Sequence, residues 1–170
     1  MLAGGAWSGE IAATLGLRIP LVGGRGYSLT YEDLPFKISR PIILSEARVA
    51  LTPMASNKIR MGGTMEITGL RTPPRMNRVI GILDAVKKYF PAAGIPFPEK
   101  ERIWYGFRPC SADGLPYIGK VLPYKNLVVA SGHAMLGLSL APATGKLVSE
   151  IINQEPLSVP IHRFDPSRFQ

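Results

Sequence analysis

The sequence holds a single cysteine and only two histidines in 170 residues. The lone Cys110 excludes an internal disulfide, and so few soft ligands exclude a structural zinc site. Charge is also sparse, at 19% of residues, and its formal balance is +8. That surplus suits an anionic ligand. It is spread along the chain, however, and lacks the density of a nucleic-acid-binding tail, so no nucleic-acid partner is expected. A long apolar run is missing as well. The longest, 127–141, is interrupted by Ser131, Gly132, His133, Gly137 and Ser139 and stops at Pro142, short of the ~20 residues that span a bilayer. The opening Met1-Leu2-Ala3-Gly4-Gly5 has neither the basic start nor the apolar run of a secretory leader, so a cytoplasmic location is expected.

What is present is a chain rich in apolar residues (46%), with 18 glycines and 16 prolines. Such a chain buries a proper core, and its breakers favour short elements and many turns over a helical bundle. An α+β domain is expected. The segment 2–8 reads as the end of a buried strand running into a glycine turn, with a short helix over 10–17 closed by Pro20. From Gly26 the period becomes two, with Tyr27, Leu29 and Tyr31 alternating with Ser28 and Thr30. Strands are expected at 41–44 and 49–54, a turn at Ser56-Asn57, and a returning strand from Lys58. Gly62-Gly63 is expected to interrupt that strand as a bulge before Met65 and Ile67 resume its alternation. These closely spaced hairpins imply an antiparallel sheet.

One helix is expected after Thr72 as cap and Pro73 as first helical residue. Met76, Val79, Ile80, Leu83, Val86 and Phe90 form its apolar stripe, and Pro91 ends it. A strand follows at 103–107, then a Gly/Pro-rich stretch over 109–119. The last organised unit is a strand at 127–130, a turn at Ser131-Gly132-His133 and a helix over 135–153. Residues from Pro156 onward read as a tail with Phe164 and Phe169 as anchors.

Three places offer chemistry. A helix start beside Gly132 and Gly137 presents unpaired N–H groups to an anion, although the same glycines would serve close packing alone. Leu138 stands where a P-loop needs Lys, which argues against nucleotide hydrolysis. His133 reads as an acid/base, a metal ligand or a polar residue satisfied at a turn, and no partner at ligand spacing supports the metal. Arg108 reads as a surface charge or as a carboxylate clamp, the latter favoured by Gly106 and Pro109 on either side. Asp113-Gly114-Leu115-Pro116 is a turn signature.

Taken in order, three segments resemble the C-terminal part of the FAD-dependent amino-acid oxidase and dehydrogenase family, which includes glycine oxidase, sarcosine oxidase and D-amino-acid dehydrogenase. They are Ala3-Gly4-Gly5-Ala6-Trp7-Ser8, Gly106-Phe107-Arg108-Pro109 leading to Asp113-Gly114-Leu115-Pro116-Tyr117-Ile118-Gly119, and Asn126 through His133 with Met135-Leu136-Gly137. The resemblance implies a remnant of an FAD-binding domain at 1–22, an antiparallel substrate-binding domain at 23–107, a return to the FAD domain at 108–154 and a tail at 155–170. It implies an amino-acid substrate, a D-amino acid above all, oxidatively deaminated to a 2-oxo acid. Arg108 would hold the substrate carboxylate, and Gly5, Ser8, Gly132, His133, Gly137, Leu138 and Ser139 would contact FAD. No residue is assigned direct catalysis.

The family's Gly-x-Gly-x-x-Gly fingerprint is missing, since Gly23-Gly24-Arg25-Gly26 lacks its third glycine and opens a strand. On this reading the chain is a fragment whose N-terminal half is absent, inactive alone and without FAD of its own. Its parent would act peripherally at the inner face of a bacterial membrane if its electrons go to a quinone there. Unpaired sheet edges at 2–6 and 127–130 would favour self-association. The competing expectation is a stand-alone module that binds a carboxylate with no redox step.

Overall fold

The computed structural model describes residues 1–99 and 103–169. They divide into two compact units, the first comprising Met1–Gly24, Ile67–Leu70 and Phe107–Gln170, the second Arg25–Glu66 and Arg71–Gly106. Gln170, the last residue of the expected tail, lies outside the described residues, as do residues 100–102 of the expected substrate-binding segment. The architecture is mixed α/β with few helices.

The second unit is built on strands β1 (Leu21–Glu32), β2 (Ile42–Leu44), β3 (Val49–Met54), β4 (Lys58–Thr68) and β5 (Ile103–Ser111), in the order β2-β3-β4-β1-β5. β1 enters this unit at Arg25 and β5 leaves it after Gly106. Antiparallel pairing sets Ile42 opposite Leu51 and Ala50 opposite Gly62. The β3–β4 hairpin turns through Ser56 and Asn57, both left-handed at φ 59° and 56°. The helix of this unit, α2, spans Met76–Tyr89. Tyr27, Leu29 and Tyr31 of β1 form one core with Val49, Leu51, Ile59 and Met61 and with the helix.

Three expectations change here. Gly62-Gly63 does not interrupt β4, because both residues keep register with Ala50 and Val49. Glycine at 63 serves packing instead: a Cβ there would lie 3.0 Å from Val49 Cγ2 and 3.2 Å from Ile82 Cγ1. The helix accordingly buries Val79, Ile82, Leu83 and Val86 and leaves Met76 and Ile80 exposed. Thr72 does not cap it; Arg75 holds the cap position. The carbonyls of Thr72 and Pro73 instead accept hydrogen bonds from the Arg25 guanidinium, which keeps this segment out of the helix. Met65 and Ile67 both face outward, and the residue buried between them is Glu66.

The first unit contains α1 (Ser8–Thr14), an antiparallel hairpin of β6 (Tyr117–Val121) and β7 (Tyr124–Ser131), and α3 (Gly137–Asn153). Leu2 bridges Val129 in parallel, donating from its N–H to the Val128 carbonyl and accepting from the Ala130 N–H. The expected strand stops there, since Gly5–Trp7 coil into a single 3-10 turn. β5 continues through Arg108 and Pro109, where the sequence suggested an end at Phe107. A proline is tolerated at that edge strand because its missing N–H is not needed by a second neighbour. α3 passes straight through Pro142. Ile161 and Phe164 of the C-terminal segment pack against Ile118, Val128, Leu147 and Ile151. No helix among the described residues is long and apolar enough to cross a membrane.

Candidate functional site

Gly132 follows β7 with φ +86°, a conformation that disfavours any side chain. A Cβ at that position would come within 3.1 Å of Tyr117 Cδ2. The chain can therefore leave the strand and enter α3 only through a glycine. At the start of α3 no side chain caps the helix, and the first turn carries no acidic residue. The N–H groups of Gly137, Leu138 and Ser139 consequently have no acceptor within the helix. Leu138 is 91% exposed, and Met135 and Leu136 are exposed beside it. The result is a positive helix end framed by apolar side chains, a surface suited to a flat ring carrying negative charge.

His133 and Cys110 form an antiparallel bridge between β5 and this turn, reinforced by the Ala134 N–H on the Pro109 carbonyl at 3.0 Å. The imidazole Nε2 shares a hydrogen bond of 3.0 Å with the Thr144 hydroxyl one helical level up. Burial holds its pKa below the usual value, so the ring stays neutral near pH 7. Among the described residues no His, Cys, Asp or Glu cluster could hold a metal ion. Burial likewise pushes the Cys110 thiol up, leaving it protonated.

Arg108 is half-buried on the same strand, one residue before Pro109. Its Nη1 is buried and makes no hydrogen bond within the protein. A guanidinium nitrogen stripped of water without a partner is costly, and it points to a ligand that supplies one. The backbone pairing thus brings the strand of Arg108 against the Gly132–Ser139 segment.

Gly5 and Ser8 join the same neighbourhood through side-chain hydrogen bonds. The Ser8 hydroxyl, fully buried, donates to Ser131 Oγ at 2.9 Å, and Ser131 donates to the Gly5 carbonyl at 3.0 Å. Ser8 therefore spends its hydroxyl on holding the glycine turn against the end of β7. A separate cavity of ≈ 830 Å³ in this unit is lined by Gly9, Glu10, Ala13, Arg18, Leu21 and Leu70, among others, and includes none of the residues expected to contact substrate or FAD.

Sequence reasoning missed Arg168. It grips Asp113 with Nε on Oδ2 and Nη2 on Oδ1, both at 2.9 Å, and stacks 3.9 Å above the centroid of the Tyr117 ring. The turn signature at Asp113 was legible, but nothing in the spacing announced a partner 55 positions away.

An uncapped helix end behind a glycine turn is paired to a strand that bears an arginine with one buried, unpartnered nitrogen, within a mixed α/β fold. The chain belongs to the FAD dependent oxidoreductase family, whose model matches residues 1–151. It is 31% identical to a D-amino-acid oxidase of Bradyrhizobium diazoefficiens over 99% of this chain and 40% of that protein. It is 37% identical to a D-amino acid dehydrogenase of Vibrio vulnificus over 91% of this chain and 37% of that protein. The chain thus spans about two-fifths of the length of these curated relatives. The crystal structure of glycine oxidase from Geobacillus kaustophilus superposes with a TM-score of 0.82 at 23% identity, covering 99% of this chain and 45% of that one, a likeness of fold.

Proposed function

We propose that this chain carries the substrate-carboxylate clamp and the flavin-facing helix of an enzyme that oxidatively deaminates an amino acid, specifically a D-amino acid. The observation that carries the reading is the buried, unpartnered Nη1 of Arg108. A carboxylate fits it, because a planar guanidinium donates two parallel hydrogen bonds to the two carboxylate oxygens. The names of the relatives favour the D series.

The residues present also fit FAD. The free N–H groups of Gly137, Leu138 and Ser139 and the positive end of the α3 dipole would stabilise negative charge on the pyrimidine side of the ring. Gly132 admits close approach to the backbone, and Met135, Leu136 and Leu138 offer apolar contact. Gly5 and Ser8 act through Ser131 in placing the end of β7. When bound, the flavin supplies a two-electron acceptor as hydride leaves the α-carbon, giving an imine that water hydrolyses to a 2-oxo acid and ammonia. Arg108 orients the α-carbon by fixing its carboxylate. His133, neutral and engaged with Thr144, shapes the turn.

Steady-state kinetics with D-amino acids, on a longer FAD-holding enzyme that contains this chain, test the clamp. Arg108→Ala is expected to lower kcat/KM on the order of a hundredfold, since ~1.4 kcal/mol is one factor of ten and a charge-assisted hydrogen bond contributes roughly 1.5–3 kcal/mol. Arg108→Lys should recover only part of the loss, because an ammonium keeps the charge and loses the planar pair. Unchanged kcat/KM in Arg108→Ala would show that Arg108 is an ordinary surface arginine.

A further inference from the structure

The C-terminal segment ends its path on a set of contacts that the proposed chemistry does not use. Arg168 donates five hydrogen bonds beyond the ordinary reach of a surface side chain: two to the Asp113 carboxylate, and one each to the carbonyls of Leu115, Pro116 and Asp165. Its guanidinium lies face-on to Tyr117 and 5.1 Å from the Phe169 ring. Pro166 is fully buried, 3.0 Å from where a Cβ on Gly119 would stand. Four of the five bonds go to a single turn, Asp113–Pro116.

What the turn does explains them. It is the connection between β5, which carries Arg108, and β6, which starts at Tyr117. The ring of Tyr117 is fully buried, and its edge fills the space that a side chain at 132 would need. Its hydroxyl donates to the Pro20 carbonyl at 3.0 Å. From β6 the chain returns along β7 to Gly132, and His133 and Ala134 pair back onto Cys110 and Pro109. The path is a closed frame, with Arg108 on one side and the Gly132–Ser139 segment on the other. Arg168 grips its Asp113–Pro116 corner.

We propose that Arg168 is a positioning residue for this site: by clamping the Asp113–Pro116 turn and stacking on Tyr117, it holds the Arg108 strand and the Gly132 turn in mutual register. The consequence for the flavin and the substrate rests on the function proposed above, whereas the mechanical role does not. Asp113 is poised for the task, since the hydrogen bonds from Arg168 keep its carboxyl well below the usual carboxylate range despite some desolvation. Asp113 therefore stays ionised, and the pair intact, well below neutral pH. Lysine would not replace Arg168, because an ammonium neither spans both carboxylate oxygens in one plane nor stacks on the ring.

Amide hydrogen exchange of the intact protein, read segment by segment, tests the assignment without reference to activity. Arg168→Ala is expected to raise exchange about tenfold or more at 109–117 and at 132–139, while the core strands at 27–31 and 59–61 keep wild-type protection. Arg168→Lys should resemble the alanine variant more than the wild type. Asp113→Asn, which keeps the shape and removes the charge, should raise exchange in the same two segments to a smaller degree. Unchanged exchange at 132–139, or a uniform rise across all segments, would overturn the proposal and leave Arg168 a general stabiliser. Should Arg168→Ala fail to fold, Asp113→Asn carries the same expectation, and failure of both to fold would equally assign the pair to global stability. If the segmental loosening is found while a longer, FAD-holding protein that contains this chain shows no amino-acid oxidation, the proposed function fails and the positioning role stands.

Discussion

Two arginines show how partners decide what a buried charge is for. Arg25 is fully buried, but its guanidinium is answered on every side: Glu66 Oε2 at 3.0 and 3.2 Å, the carbonyls of Thr72 and Pro73, and the rings of Tyr27 and Tyr105. Glu66 Oε2 also accepts from the Tyr27 hydroxyl, and Oε1 pairs with Arg75 Nε at 3.1 Å. Such a group is structural. Arg108, by contrast, keeps a buried nitrogen without a hydrogen-bond partner in the protein, which leaves it available to a ligand. Removing one member of a buried pair costs about 3–5 kcal/mol, because the remaining charge is stranded. Glu66→Ala is therefore expected to lower unfolding free energy by about that amount in urea titrations, against little change for the solvent-facing pair of Glu32 with Lys58. Burial raises the Glu66 pKa, but the hydrogen bonds from Arg25 and Tyr27 and the charges of Arg25 and Arg75 outweigh it and lower the value overall. A depressed folded-state pKa means that this stabilisation is fully present above the unfolded value of about 4.3 and is lost as pH falls through the folded value. Wild-type stability should thus drop on acidification, and Glu66→Gln should flatten part of that drop. A Glu66→Gln variant with the wild-type acid profile would show that other carboxylates carry it.

At the scale of elements, the helix α2 and the strand β4 meet through an absence. Gly63 lets Ile82 and Val49 close over the sheet, and a methyl at that position would also stand 3.2 Å from the Arg48 carbonyl oxygen. Alanine would gain roughly 0.5–1 kcal/mol from the loss of glycine's backbone freedom, but overpacking against backbone and a rigid β-branched neighbour costs about 1–3 kcal/mol. The clash wins. Gly63→Ala is expected to lower Tm by several degrees, and an unchanged or higher Tm would mean that α2 shifts away freely. The same element shows why a stripe read from spacing is displaced. Periodicity placed Ile80 on the buried face, whereas the structure buries Ile82, whose Cγ1 packs over Gly63, and leaves Ile80 exposed. The path of α3 through Pro142 has a similar origin: one lost hydrogen bond costs less than abandoning the burial of Leu147, Val148 and Ile151 on β6 and β7.

At the scale of the whole molecule, the family's cofactor asks for more than these residues offer. No Gly-x-Gly-x-x-Gly occurs in the 170 residues, so the loop that cradles the FAD pyrophosphate has no counterpart in them. A polypeptide of these residues alone is expected to show no tight FAD binding when titrated and followed by flavin fluorescence, and stoichiometric retention through gel filtration would contradict that. The amino-acid sequence by itself determined the mixed α/β class, the antiparallel hairpins, the main helix and the glycine turn before α3, because local periodicity and backbone freedom are written in adjacent residues. It also determined the family, through motifs in a particular order. Only the tertiary structure decided that Glu66 faces inward between two exposed apolar neighbours, since the partner that compensates it, Arg25, is 41 positions away. Only it decided that Arg168, 55 positions from Asp113, pairs with that carboxylate and stacks on Tyr117. Ion pairs and stacking between distant residues leave no local pattern, and their free energy exists only once the chain has brought them together.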